Sequence, residues 1–277
     1  MVCRLRSDGN LDLAVYRDTE TPCQASGQEV VLLVAKDGAE YICAVDDSDI
    51  LQITSTNRGG YSEGIYTSFN AALHVGDDCF KVLKNLEKLK TAWGISRLVT
   101  LTQVHGNVIR EVTAENIADV MFSDGDGLFT RERGIALGIL TADCWNVHLI
   151  GRGCLASLHC GWKSAAAGIV ENALSMFEEA GDRVTRAVVG PGISTANFEV
   201  GSEVADIFTS AGHGESVESI CGRMCFSIGG SVERTLRNAG VPEITRVTDC
   251  TYSSDYLFSY RRDSGRTGRM ISILMRK

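Results

Sequence analysis

Three side chains in this 277-residue sequence could act together on a substrate: His105 in "TQVHGN", Cys144 in "LTADCWN" and His159 in "SLHCGW". They stand 39 and 15 residues apart, too far for a zinc knuckle but well suited to ligands from three elements that meet in the fold. Two imidazoles and a thiolate form a borderline-soft donor set that suits zinc, and three protein ligands leave a fourth tetrahedral position open. Such a site would be catalytic, lowering the pKa of a water in the open position to about 7 and polarising a substrate oxygen. The same residues fit a nucleophile pair, in which Cys144 attacks a carbonyl and His159 or His105 serves as base. They also fit a plainer reading, with Cys144 a buried strand thiol and each histidine satisfying a turn. Only five histidines are present. His148, in "CWNVHLI", lies within continuous strand and reads as packing.

Each of the three falls at the end of an expected strand, where open α/β sheets usually build their ligand sites. The run "EVVLLVAKDGAEYICAVDDSDILQITST" alternates around "KDG" and reads as a hairpin or meander with a further strand. Apolar residues at Phe80, Val82, Leu83, Leu86, Leu89 and Trp93 have helical spacing, with Asp77 and Asp78 ahead and Gly94 behind. "SRLVTLTQVHGNVIREV" reads as two strands broken at His105 and Gly106, and "DGDGLFT" as a turn into a short strand. "RGIALGILTADCWNVHLIG" reads as one long central strand, apolar on both faces. After the strand "GCLASLHC" comes one helix, "KSAAAGIVENALSMFEEAG", then the strand "RAVVGPGIS". Helices at 203–208 and 231–239 and strands around "RVTDCTY" and "GRMISILMRK" complete an alternating α/β pattern.

Composition narrows the function classes. The formal charge is −8, with Lys and Arg scattered, which speaks against a nucleic-acid partner. No stretch reaches the roughly 18 apolar residues of a membrane span, and the amino terminus reads as no targeting segment, so a cytoplasmic protein is expected. Ten cysteines in such a chain argue for reduced thiols. Cys221 and Cys225, in "CGRMC", lack a second half-site of matching spacing.

The segment 57–85, "NRGGYSEGIYTSFNAALHVGDDCFKVLKN", with "TQVHG", "DGDGLFT", "LTADC", "HCGWKSAAAGIVENAL", "VGPGISTANFEVGSEV" and "SYRRDSGRTGRM", resembles the laccase-domain family. That family was once named for multicopper polyphenol oxidoreductases, is now described as purine nucleoside phosphorylases, and includes peptidoglycan editing factor. The resemblance runs from about residue 41 to the carboxyl terminus, with residues 1–40 outside it as a strand-rich extension. It implies a single-domain α/β fold, with β-sheets sandwiched between helices in α/β/β/α layers. It further implies a zinc ion on His105, Cys144 and His159. The implied activity is phosphorolysis of adenosine, inosine or guanosine with inorganic phosphate as co-substrate, cleavage of methylthioadenosine, and deamination of adenosine.

Within that frame Arg58, with the amides of Gly59 and Gly60, and Arg261 or Arg262 are phosphate candidates, because a guanidinium fork suits phosphate oxygens. Asn70 and Gln103 are candidates for ribose hydroxyls, Asp143 for general base or partner of a ligand, and His74 for an outer neighbour of the site. A cysteine hydrolase or an amidase on cell-wall precursors is the alternative. Copper suits imidazole too, but five histidines cannot furnish the clusters of a multicopper oxidase. Three departures from the family pattern bear on pocket shape. Trp145 and Asn146 follow "TADC" where a proline is usual, "HCGWKS" replaces "HAGWRG", and "STANFEVG" replaces a cysteine-and-tyrosine segment.

Overall fold

The computed structural model describes residues 32–277 and the backbone of Cys3–Leu5 and Leu11–Asp12. Along the chain lie strands β1 (Cys3–Leu5), β2 (Leu11–Asp12), β3 (Leu32–Lys36), β4 (Ala39–Asp46) and β5 (Ile50–Ser55), then helix α1 (Cys79–Trp93). Next come β6 (Arg97–Val99), β7 (Ile109–Glu111), the short α2 (Ile117–Val120), β8 (Gly127–Thr130), β9 (Ile135–Thr141), β10 (Trp145–Ile150) and β11 (Leu155–Cys160). The remainder is α3 (Trp162–Ala166), α4 (Ile169–Glu179), β12 (Arg186–Val189), α5 (Ser202–Ser210), β13 (Val217–Ile220), β14 (Arg223–Phe226), α6 (Ile228–Asn238), β15 (Glu243–Arg246) and β16 (Met270–Arg276).

Two sheets carry the fold. One has eight strands in the order β2-β1-β3-β4-β5-β16-β9-β6, the other six in the order β15-β12-β10-β11-β8-β7. Alternation of side chains across each strand sorts the core into three layers. Ile50, Leu137, Leu274 and, from the smaller sheet, Leu155 and Val188 fill the space between the sheets. Trp145, Val147 and Leu149 face the other way and pack under α3, α4 and α6. Ile53, Ala136, Ile271 and Ile273 face Leu89 and Trp93 of α1. Burial of each such leucine or isoleucine stabilises the fold by about 2 kcal/mol. The architecture is therefore α/β/β/α, as the resemblance implies. Asp78 caps α1, accepting the Phe80 N–H at 2.8 Å.

Two sequence expectations are corrected. The stretch 135–150 is two strands in different sheets, β9 and β10, joined by a corner at Asp143, whose φ is 93°. Both halves are buried on both faces because each sheet is covered on both sides, so hydropathy carries little trace of the break. The helix expected over 163–181 is likewise two, α3 and α4, parted at Gly168 with φ 78°. "CGRMC" is a β-hairpin, with Cys221 and Gly222 at φ 50° and 76° forming its two-residue turn.

The division expected at residue 40 falls inside β4, which pairs with β3 along its length. Most of residues 1–31 lie outside the described residues. Among the described residues no helix is long and apolar enough to cross a membrane, and the eight cysteines within residues 32–277 are free.

Candidate metal centre and its cleft

Asp126, in the turn before β8, organises the site. Its carboxylate accepts the backbone N–H groups of Val104, His105 and Gly106 at 3.2, 2.9 and 2.6 Å and the Nδ1 of His159 at 2.7 Å. His105 sits at φ 60°, a left-handed conformation that costs about 1–2 kcal/mol. Each hydrogen bond to the buried carboxylate contributes about 1.5–3 kcal/mol, so the strained loop is held. With Nδ1 engaged by Asp126, His159 has Nε2 left to offer. Cys144 follows the Asp143 corner. The Asp143 carboxylate accepts from Thr251 Oγ1, Ser259 Oγ and the Arg261 N–H at 2.6, 2.7 and 2.6 Å, which fixes the turn that carries the thiol. The antiparallel pairing of Asn146 with His159 then sets Cys144 beside that imidazole.

One ligand atom from each of His105, Cys144 and His159 lies within 4.8 Å of the other two. Cys144 Sγ is 3.9 Å from His105 Nε2, and the two imidazole rings meet edge to face at 4.8 Å. Gly161 forms the cradle: a Cβ there would stand 2.9 Å from His105 Cδ2 and 3.1 Å from Cys144 Sγ. Burial pushes the Cys144 thiol up, yet the His159 and His105 imidazoles outweigh it and bring it down to about 6. Burial pushes His159 down, but the Cys144 thiolate and the Asp126 carboxylate raise it to about 9. A thiol that ionises near neutrality is a donor in the form a cation needs, and His159, with Nδ1 held by Asp126, gives up its Nε2 proton when a cation binds. The set fits zinc. Among the described residues no other group of three such donors gathers.

Above the three side chains opens a cleft of about 470 Å³. Leu101, Leu140, Ile193, Phe198 and Tyr260 give it apolar walls, and Gln103, Arg261 and Arg269 supply polar groups. A smaller recess of about 230 Å³ shares His105, Asp143 and Cys144 and is closed by Trp162, Lys163 and Ile228. Trp145 shapes the wall from behind. Its indole fills space left by Gly190, Gly192 and Gly229, where a Cβ would come within 2.7, 2.5 and 2.7 Å, and Nε1 donates to the Ile193 carbonyl at 3.0 Å.

Of the other residues named from the sequence, Gln103, Arg261, Asp143 and His74 line this cleft. Gln103 is pinned by two 2.8 Å bonds to the Leu140 backbone. Arg261 donates to the Glu199 carbonyl and lies over Phe198. Arg58 and Asn70 do not line it, contrary to the sequence expectation. Arg58 is paired with Glu40 and Asp255 at 3.3 and 3.0 Å, charges absent from its own sequence neighbourhood. Asn70 is fully buried and knits Ala72 to the Arg269 N–H. Arg262 donates to the carbonyls of Thr251, Ser254 and Leu257 and pairs with Asp263. His148 bridges Ser157 and Ser272 between the sheets.

Sequence reasoning missed Asp126, Arg269, Tyr260 and Phe198. Asp126 alone had a usable signal, since a ligating histidine almost always donates its second nitrogen to a carboxylate or carbonyl and "DGDG" offered two candidates.

The model of the family described as multi-copper polyphenol oxidoreductase laccase matches residues 52–277. A protein of Mycobacterium tuberculosis named purine nucleoside phosphorylase is 33% identical over 231 residues, 81% of this chain and 91% of its own length. A Deinococcus radiodurans protein of the same name is 34% identical over 226 residues, 79% of this chain and 87% of its own. The crystal structure of a Neisseria meningitidis protein superposes with a TM-score of 0.77 at 30% identity, over 86% of this chain and 99% of that one. A site of this geometry in a chain so matched leaves one conclusion: the chain belongs to the multi-copper polyphenol oxidoreductase laccase family.

Proposed function

We propose that this chain is a zinc-dependent purine nucleoside phosphorylase working in the cytoplasm. The observation that carries the reading is the convergence of His105, Cys144 and His159 on the floor of an apolar-walled, arginine-bearing cleft. Relatives named purine nucleoside phosphorylase support the substrate class. The donor set and its free tetrahedral corner support zinc over copper. Free thiols support a reducing compartment.

In phosphorolysis a phosphate oxygen bonds to the ribose C1′ as the C1′–N9 bond breaks. The electron pair leaves with the purine, which takes up one proton. Phe198 and Tyr260 offer aromatic faces to the base. Gln103 keeps one amide hydrogen and one lone pair for a ribose hydroxyl, beyond those spent on Leu140. A zinc ion held by His105, Cys144 and His159 supplies Lewis-acid stabilisation of charge on a substrate heteroatom. Asp126 keeps the Nδ1 proton of His159, so Nε2 stays available for the cation. The three hydrogen bonds already on Asp143 support its acting as the anchor of Cys144 rather than as a proton acceptor. The reading extends to methylthioadenosine, cleaved in the same way. It extends also to adenosine deamination, in which water adds at C6 and ammonia leaves.

One observation favours a second reading. A thiol at about 6 beside an imidazole at about 9 is a nucleophile pair, as in a cysteine hydrolase or an amidase on cell-wall precursors. Incubation with inosine, guanosine or adenosine, with and without phosphate, separates the two. Free base with ribose 1-phosphate, abolished by chelation and restored by zinc, is the expected result. Turnover that survives complete removal of metal would establish the cysteine reading instead.

A further inference from the structure

Arg269 stands directly ahead of β16 and enters the cleft half-buried. Its Nη1 donates to the carbonyls of Thr267 and Gly268, both at 3.0 Å, which locks the plane of the guanidinium. One face of the group lies 5.5 Å over the Tyr260 ring. Among the described residues its Nε and Nη2 donors have no hydrogen-bond partner, and no carboxylate forms an ion pair with it. The carboxylate of this cleft, Asp143, is already occupied by Thr251, Ser259 and the Arg261 N–H. Next to Arg269 in the fold, Thr141 pairs across the sheet with Met270, lines the same cleft, and carries a buried Oγ1 with no partner. His74 borders that end too. Burial and the Arg269 charge hold its imidazole below the ordinary range, so it faces the cleft as a neutral group.

Of the other cations nearby, Lys163 lies over Trp162 in the adjoining recess, and Arg58 and Arg261 are spent. Arg58 holds two carboxylates outside the cleft, and both terminal nitrogens of Arg261 reach the Glu199 carbonyl. A fixed guanidinium with its Nε–Nη2 edge open is matched to two oxygens of one tetrahedral oxyanion. We propose that Arg269 anchors inorganic phosphate in this cleft, through that edge, with Thr141 and His74 at the flank of the ion. Phosphate as the anion rests on the phosphorylase reading, whereas the anion site itself rests on Arg269 and its surroundings.

The test uses the zinc-loaded full chain. Phenylglyoxal modification of Arg269 is followed by mass spectrometry with and without inorganic phosphate, and phosphate is then varied kinetically for wild type, R269A and R269K. Phosphate should protect Arg269. R269A should raise KM for phosphate about tenfold or more, and R269K by less, with KM for inosine changed under about twofold. Equal zinc content in all three proteins shows that the site is intact. No protection of Arg269, or a phosphate KM unchanged in a zinc-loaded R269A, overturns the assignment. Protection by phosphate in a wild-type protein that performs no phosphorolysis would leave the anion site standing and remove the phosphorylase reading.

Discussion

His148 and His159 stand on neighbouring antiparallel strands, two register positions apart, on the same face of the six-stranded sheet, and both are buried. His148 lies between two neutral hydroxyls, Ser157 Oγ at 2.9 Å and Ser272 Oγ at 2.7 Å. Burial takes it down to about 3, so it stays neutral and serves as a polar rivet between the sheets. His159 lies between a carboxylate and a thiol, and those charges lift it to about 9 against the same burial. The contrast teaches that burial alone silences an imidazole, while fixed charges beside it turn it into a ligand or a base. His159 also stands at the strand end, where β11 runs out into the cleft, whereas β16 covers His148.

The contrast can be broken at either end. Cys144→Ala should remove the bound zinc and lower turnover about a thousandfold or more, as loss of several kcal/mol of charge stabilisation requires, checked by metal analysis with kinetics. His148→Ala should do the reverse. It strands the buried Ser157 hydroxyl, while Ser272 Oγ keeps Gln52, Thr54 and Asn146, and it opens a cavity, for a loss of about 2–4 kcal/mol in denaturant unfolding, with zinc retained.

Titration sharpens the difference. The folded pKa of His148, about 3, lies below its ordinary 6.5. Its contribution is therefore fully present above pH 6.5 and is lost as pH falls from there toward 3, by up to about 1.4 kcal/mol per pH unit. After chelation the pair Cys144 and His159 should add little slope between about 6.5 and 9, because the proton one gives up the other holds. Unfolding measured against pH, with His148→Gln as the comparison, checks both. Asp126→Asn should weaken zinc binding about 10- to 100-fold in chelator competition. Arg58→Ala should be the mildest change, within about 1 kcal/mol in stability and without effect on turnover, because its guanidinium and its Asp255 partner are solvent-exposed and only Glu40 is half-buried.

What could be read in the sequence follows from local signals. The capped, 3.6-periodic stretch 79–93 and the alternating runs of β3, β4 and β5 are patterns that a single element must carry to bury one face. The three side chains of the candidate metal centre were legible as metal-type donors at strand ends, and it was the family resemblance that set them apart from a buried thiol and turn-satisfying histidines. The corner at Asp143 was not, since it joins two strands that are each buried on both faces and is held by Thr251, Ser259 and Arg261 from more than a hundred residues away. Arg58 reads as a phosphate ligand beside two glycines, yet Asp255, 197 residues on, claims it. Arg269 gives no local sign of its role. Its importance lies in the partners it lacks, and only the fold reveals a missing partner.

X-ray absorption at the zinc edge, on the purified protein and on Cys144→Ala, tests most directly whether His105, Cys144 and His159 hold one cation. One zinc per chain, with a single sulfur neighbour at about 2.3 Å and two imidazole nitrogens at about 2.0 Å, is the predicted result, and the sulfur shell and the metal should vanish together in the variant. A bound metal without a sulfur neighbour, or full occupancy in Cys144→Ala, would contradict it.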